Sequence, residues 1–129
     1  MAVDSESNLD KKFIQTMKLL NIYLNHFPSH EKHGLALKIR QTAYEMYDYI
    51  VEAQKRYHKK TTLTNLDIKH EQLRMQVRLA FELSYFGHPK TEKASMQKLN
   101  AKRYLSISVN IDEIGKIIGG WIKSIKSTT

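Results

Sequence analysis

Histidines and carboxylates are the residues of this 129-residue sequence best suited to acid–base or metal chemistry, and their spacing speaks against both. His26, His30 and His33 have roughly helical spacing, but Pro28 stands between the first two. No glutamate is followed by histidine three positions later, the offset that di-metal helix bundles use. Polar residues at a helix junction are the simpler reading. His70-Glu71-Gln72-Leu73-Arg74 begins like the zinc-protease motif, yet Arg74 occupies the position of the second histidine ligand. Asp112 and Glu113 flank an apolar seam and read as a solvated face. The absence of cysteine excludes disulfides, thiolate metal sites and cysteine nucleophiles. There is no phosphate-binding glycine loop and no nucleophile elbow. The expectation is a protein without metal, cofactor or catalytic residue.

What the sequence does offer is positive charge. Lysine and arginine number 21 against 13 acids, a net charge of +8, which favours polyanionic partners, nucleic acid ahead of an anionic membrane surface. Lys55-Arg56-Tyr57-His58-Lys59-Lys60 places four fixed cations within six residues, with an aromatic ring and an imidazole between them. Arg74 and Arg78, one helical turn apart, share a face and repel unless each finds an acceptor. Glu71 and Glu82 could supply acceptors from within; phosphate or a partner's carboxylates also suit the guanidinium fork. Gly115, Gly119 and Gly120 precede Trp121, and each glycine costs ~1 kcal/mol relative to alanine inside a helix. That face is expected to pack closely on a neighbouring helix, within the bundle or in another subunit.

These groups must be positioned by helices. With 41% hydrophobic and 26% charged residues, the chain fits one globular domain over residues 1–129. Its apolar runs fall far short of the ~20 residues that cross a bilayer, and the acidic N-terminus has no apolar h-region. A cytoplasmic protein with no membrane partner is expected. Apolar periodicity predicts four helices, at about 9–26, 30–58, 65–86 and 97–126. The first carries Phe13, Met17, Leu20, Leu24 and Phe27 and stops at Pro28. Ser29 is the expected N-cap of the second, with Glu31 in its first turn and a seam from Ala36 through Ile39, Ala43, Met46, Ile50 and Ala53 to Tyr57. The third, capped by Thr64, carries Leu66, Leu73, Val77 and Ala80. Its second half adds Met75, Leu79 and Leu83, so burial by neighbours on several sides is expected. The fourth repeats Ile107, Ile111, Ile114, Ile118, Trp121 and Ile125.

Short connections favour an all-α, up-down-up-down antiparallel four-helix bundle. In that topology the second-to-third junction shares an end with both termini. Lys11, Lys12, Lys123 and Lys126 are then expected to gather beside Lys55, Arg56, Lys59 and Lys60 as a positive pole. A polyanion contact and an ordinary lysine-rich end both fit it.

Beyond these patterns, four blocks carry a resemblance: Phe27-Pro28-Ser29-His30-Glu31-Lys32, the run from Lys55 through Thr61-Thr62-Leu63-Thr64-Asn65-Leu66 to Asp67, His70-Glu71-Gln72-Leu73-Arg74-Met75-Gln76-Val77-Arg78-Leu79-Ala80, and Ile111-Asp112-Glu113-Ile114-Gly115-Lys116-Ile117-Ile118-Gly119-Gly120-Trp121-Ile122. Over most of its length the chain resembles the Avd family, the accessory variability determinant of diversity-generating retroelements. The resemblance implies a four-helix protomer that assembles into a homopentameric barrel, binds the retroelement's reverse transcriptase, and contacts template RNA or DNA through basic surface. It implies no catalysis by this chain: the polymerase copies the template with errors at adenines, and the copy is transferred to a variable target gene. By position, Arg74 and Arg78 match an arginine pair of the family's third helix, implicated in the polymerase or RNA contact. The nearest rival is the related bundle family encoded within intervening sequences of 23S ribosomal RNA genes. A protein-only adaptor and a small metal- or ligand-binding bundle enzyme are the alternatives from other classes.

Overall fold

Apolar residues recurring at steps of three and four give each of four segments one greasy stripe, and a helix so patterned must bury that stripe against others. A computed structural model describes residues 2–128, with side chains from Asn8 to Lys126. Helix α1 spans Ala2–Asn25, α2 Leu35–Lys55, α3 Lys60–Glu82 and α4 Lys93–Thr128, with single 3₁₀ turns at Ser29–Glu31 and Tyr85–Gly87. The described residues form no strand. Each helix packs beside the next, and α4 closes the square on α1. The pairs run antiparallel: Glu52 meets Thr62 while Glu45 meets Lys69, and Lys12 meets Glu113 while Tyr23 meets Arg103.

The stripes meet as expected. Phe13, Leu20 and Leu24, then Ile39, Met46 and Ile50, then Leu66, Leu73 and Val77, then Ile107, Ile111, Ile114, Ile118 and Trp121 are all buried in one core. Full burial of one such side chain is worth about 1.5–3 kcal/mol relative to exposure.

The helix ends differ from expectation, and the reasons are local hydrogen bonds. The seam of α2 does not reach Tyr57, which is 92% exposed, because the helix closes at Lys55. There the Arg56 amide donates to the Glu52 carbonyl at 2.9 Å, and the Lys59 ammonium donates to the carbonyls of Ala53 and Arg56. A lysine over the last carbonyls satisfies acceptors that the helix leaves open and suits its negative end. Helix α3 then begins at Lys60, so Thr64 lies inside it and donates to the Lys60 carbonyl at 2.9 Å instead of capping. Thr62, buried, donates to the Glu52 carboxylate and ties the two helix ends together.

At the opposite end, Ser29 does not cap α2. Glu31 does so from the preceding turn, accepting the Leu35 amide at 2.7 Å with one carboxylate oxygen and the Tyr85 hydroxyl at 2.7 Å with the other. Ser84, left-handed at φ 62°, turns the chain out of α3 and drops Phe86 among Tyr23, Phe27 and Tyr104. Helix α4 starts earlier than its stripe, since the Glu92 carboxylate accepts the amides of Ala94 and Ser95 at 3.0 and 2.8 Å. It passes through residues 106–110 as one uninterrupted helix.

The Leu35 amide first, and the Tyr85 hydroxyl second, hold the Glu31 carboxyl below its ordinary value of 4.5. An acid whose ionised form is favoured by folding contributes stability above its unfolded pKa and loses it as the pH falls through the lower folded value. Glu31→Gln keeps an acceptor but removes the charge. Wild type is expected to melt higher than this variant at pH 7, and the gap to close below about pH 4.5, as followed by circular-dichroism melts across that range.

Candidate nucleic-acid and partner interface

The turn from α2 into α3 is a basic corner built on the internal contacts of Lys59 and Arg56. Lys59 is engaged with main-chain carbonyls, and Arg56 lies 3.6 Å from Glu52 and 3.3 Å from the Thr62 hydroxyl. Lys55, Tyr57, His58 and Lys60 are exposed. Lys60 and Lys126 line one groove of about 330 Å³ with Asp67, Leu63, Ile122 and Ile125, so the start of α3 and the end of α4 bring two of the expected cations together beside one carboxylate. Lys123 is exposed in the same last turns of α4.

Lys11 and Lys12 do not join them. Helix α1 begins at Ala2, which sets both lysines back from the end of the bundle. Lys12 pairs with Glu113 at 2.5 Å, and the rise from Glu113 to Ile122 is about 13 Å.

On α3 the two arginines find acceptors within the chain. Arg74 forks onto Glu71 with hydrogen bonds of 2.9 and 2.7 Å, and the Arg78 Nε donates to Glu82 at 2.9 Å. These bonds hold the Glu71 carboxyl below the usual carboxylate range and raise both guanidiniums further. All four side chains stay about half exposed. Beside them Met75, Leu79 and Leu83 are exposed rather than buried on several sides, because among the described residues no helix covers the outer face of α3.

The glycines of α4 divide. A Cβ on Gly115 would lie 2.6 Å from Cε1 of His70, whose Nε2 donates to the Ile111 carbonyl at 2.8 Å. Gly115 is therefore a close-packing site, and what it admits is an imidazole rather than a backbone. A Cβ on Gly119 or Gly120 would meet nothing within 4 Å among the described residues, so neither packs against another helix of the bundle. Trp121 is fully buried in the core.

Residues 8–125 match the family model described as bAvd-like. The chain belongs to the bAvd-like family. No curated protein and no solved structure matches it.

Several contacts of this bAvd-like bundle leave no trace in local sequence pattern. Arg103 stands 5.6 Å over the Tyr23 ring and donates to the His88 carbonyl at 3.2 Å, clasping the turn after α3 to α1. Arg40 donates to Asn21 at 3.2 Å and Asn25 at 2.6 Å, bridging the most loosely packed seam, that between α1 and α2. Their partners lie far off in sequence, so only the polar inventory of α1 could have hinted at them. His26, His30 and His33 are exposed at the α1–α2 junction. Among the described residues no group of three or more histidines and acids could hold a metal ion, and no helix is long and apolar enough to cross a membrane.

Gly115→Ala should lower the unfolding free energy by about 1–3 kcal/mol through overpacking. Gly119→Ala, placed in open space, should raise it by up to about 1 kcal/mol. Adding His70→Ala to Gly115→Ala should cost less than the sum of the two single losses, because the clash then has no second party. Urea denaturation of the four variants measures all three.

Proposed function

We propose that this chain is the non-catalytic accessory protein of a diversity-generating retroelement. It binds the element's reverse transcriptase and its template RNA or complementary DNA, as a cytoplasmic homopentamer, and supports mutagenic reverse transcription and retrohoming. Membership of the bAvd-like family carries this reading. The net charge of +8 and the groove that brings Lys60 and Lys126 together, with Lys55 and Lys123 exposed in the adjoining helix ends, support it, since fixed cations at one end of a bundle suit a phosphate backbone. The chemistry belongs to the polymerase; this protein holds polymerase and template together. Arg74 and Arg78 suit the polymerase or RNA contact because an exposed intramolecular ion pair is cheap to exchange for a partner's carboxylate or phosphate.

Changing Arg74 and Arg78 together to alanine is expected to abolish co-purification with the reverse transcriptase while leaving the melting curve of the isolated protein nearly unchanged. A large loss of melting temperature would mark the pair as structural. Affinity for single-stranded template RNA should fall by about fifty-fold between ~50 and ~200 mM salt if four phosphates are neutralised, read by fluorescence anisotropy. Binding that ignores salt, or no binding, would favour a protein-only adaptor.

A further inference from the structure

Positive charge is unevenly placed along the bundle. Residues 21–40 and 83–103, which make the α1–α2 and α3–α4 turns with the helix turns beside them, hold eight lysines and arginines against two acids. Six units of the chain's net +8 therefore sit at the end opposite the basic corner. The two turns form one surface: the Tyr85 hydroxyl donates to Glu31 at 2.7 Å, and Nδ1 of His88 donates to the His26 carbonyl at 2.8 Å.

Neither acid there pairs with a lysine or arginine. Glu31 accepts the Leu35 amide and the Tyr85 hydroxyl, and Glu92 accepts the amides of Ala94 and Ser95. Lys32, Lys38, Lys90, Lys93, Lys98 and Lys102 are exposed and form no ion pair with any described residue. The two arginines differ from the rest of their kind. Arg40 is held by the side-chain oxygens of Asn21 and Asn25, and Arg103 by the Tyr23 ring and the His88 carbonyl. All these partners are neutral, so both guanidiniums are fixed in place with their charge uncompensated, whereas Arg56, Arg74 and Arg78 each meet a glutamate. A cation already held in position loses little freedom when an anion arrives.

Two grooves cut this surface. One of about 310 Å³ lies at the α1–α2 turn among Asn25, Ser29, Lys32 and Arg40; the other, of about 350 Å³, runs beside Ser95, Lys98 and Lys102 on α4. No carboxylate lines either, while the groove at the far end takes in Asp67. Hydroxyls and fixed cations are the donors that phosphate oxygens accept. They run continuously: Asn25 adjoins His26, whose carbonyl holds His88, and the His88 carbonyl accepts from Arg103 beside Lys102. A strand can follow that path into both grooves, which a flat anionic bilayer cannot. Helix α2, 21 residues long, sets the two basic ends roughly 30 Å apart, well beyond the ~8 Å screening length of physiological salt, so each end meets phosphate independently.

We propose that the end formed by the α1–α2 and α3–α4 turns is a second nucleic-acid surface, taking the phosphate backbone of a single strand from Lys32 and Arg40 to Lys98 and Lys102. This inference rests on the nucleic-acid contact in the proposed function and adds a site apart from the α2–α3 corner. Three variants that lose equal charge test it: Lys32→Gln, Lys98→Gln and Lys102→Gln at this end; Lys55→Gln, Lys60→Gln and Lys123→Gln at the other; Lys11→Gln, Lys18→Gln and Lys116→Gln along the flanks. Binding of fluorescein-labelled polyuridylate is followed by anisotropy between ~50 and ~200 mM salt. The first variant should bind about tenfold more weakly at the lower salt, with a salt slope smaller by about two, as three single-strand phosphate contacts at ~0.7 each require. Arginine at the same three positions should keep both values, the flank variant should stay near wild type, and the losses at the two ends should add. Lys98→Gln with Lys102→Gln replaces the triple variant should its circular-dichroism melt differ from wild type. A wild-type protein that ignores the RNA would overturn the nucleic-acid reading itself. Wild-type binding that the first variant keeps, or that the flank variant loses equally, would overturn this site alone. Loss of binding to phosphatidylserine vesicles with RNA binding intact would also overturn it, giving the surface to a membrane.

Discussion

A single buried hydrogen bond sets the register on which the α3–α4 half of the bundle depends. The Ile111 carbonyl can only accept, so Nε2 of His70 carries the proton that reaches it. A polar ring in an apolar core is costly unless satisfied, and this one is satisfied at one place along α4. Sliding α3 by a turn would break this bond and move the imidazole off Gly115, where a Cβ would lie 2.6 Å from its Cε1. The bond thereby fixes where the next turn of α3 falls, placing Arg74 with Glu71 on the flank near Asp112. It likewise fixes the height of Ile68, Met75 and Leu79 on the outer surface.

Much of this architecture was legible in the sequence because hydrophobic phase reports which way a helix faces. The stripes of α1, α2 and α4 needed nothing more than steps of three and four, and the basic corner at Lys55 to Lys60 was visible as a run. Phase does not report where a helix stops. Tyr57 continues the α2 seam in number only, because Lys59 folds back over the last carbonyls and ends the helix first. Thr64 has the chemistry of a cap but lies a turn too late, and Glu31 caps α2 from a separate turn.

The candidate site was legible in part, for the same reason. Glu71 and Glu82 stand at helical offsets from Arg74 and Arg78, so their pairing could be read from spacing. Apolar residues around the whole circumference of α3 announce a need for cover without saying whether the cover belongs to the same chain. Three glycines in six residues likewise announce an unusual surface, yet only the fold distinguishes Gly115, filled by an imidazole, from Gly119 and Gly120, which face open space. Lys12 is a different case: its place depends on where α1 begins, and that lay in a segment too polar to show a stripe.

Helix α4 is the longest element, 36 residues against 23 in α3, or roughly 54 Å against 35 Å. Asn100 donates to the Phe81 carbonyl near the end of α3, so the turns of α4 before it project past that neighbour. Ala94, Ser95, Gln97 and Lys98 are exposed there, and Met96 and Gly87 form the contact beneath. Helical order in a segment supported on one side owes more to its own cap than to the core. Amide protons of these first turns will therefore exchange with solvent by local fraying, governed by the Glu92 cap, long before those held by the four-sided interior open.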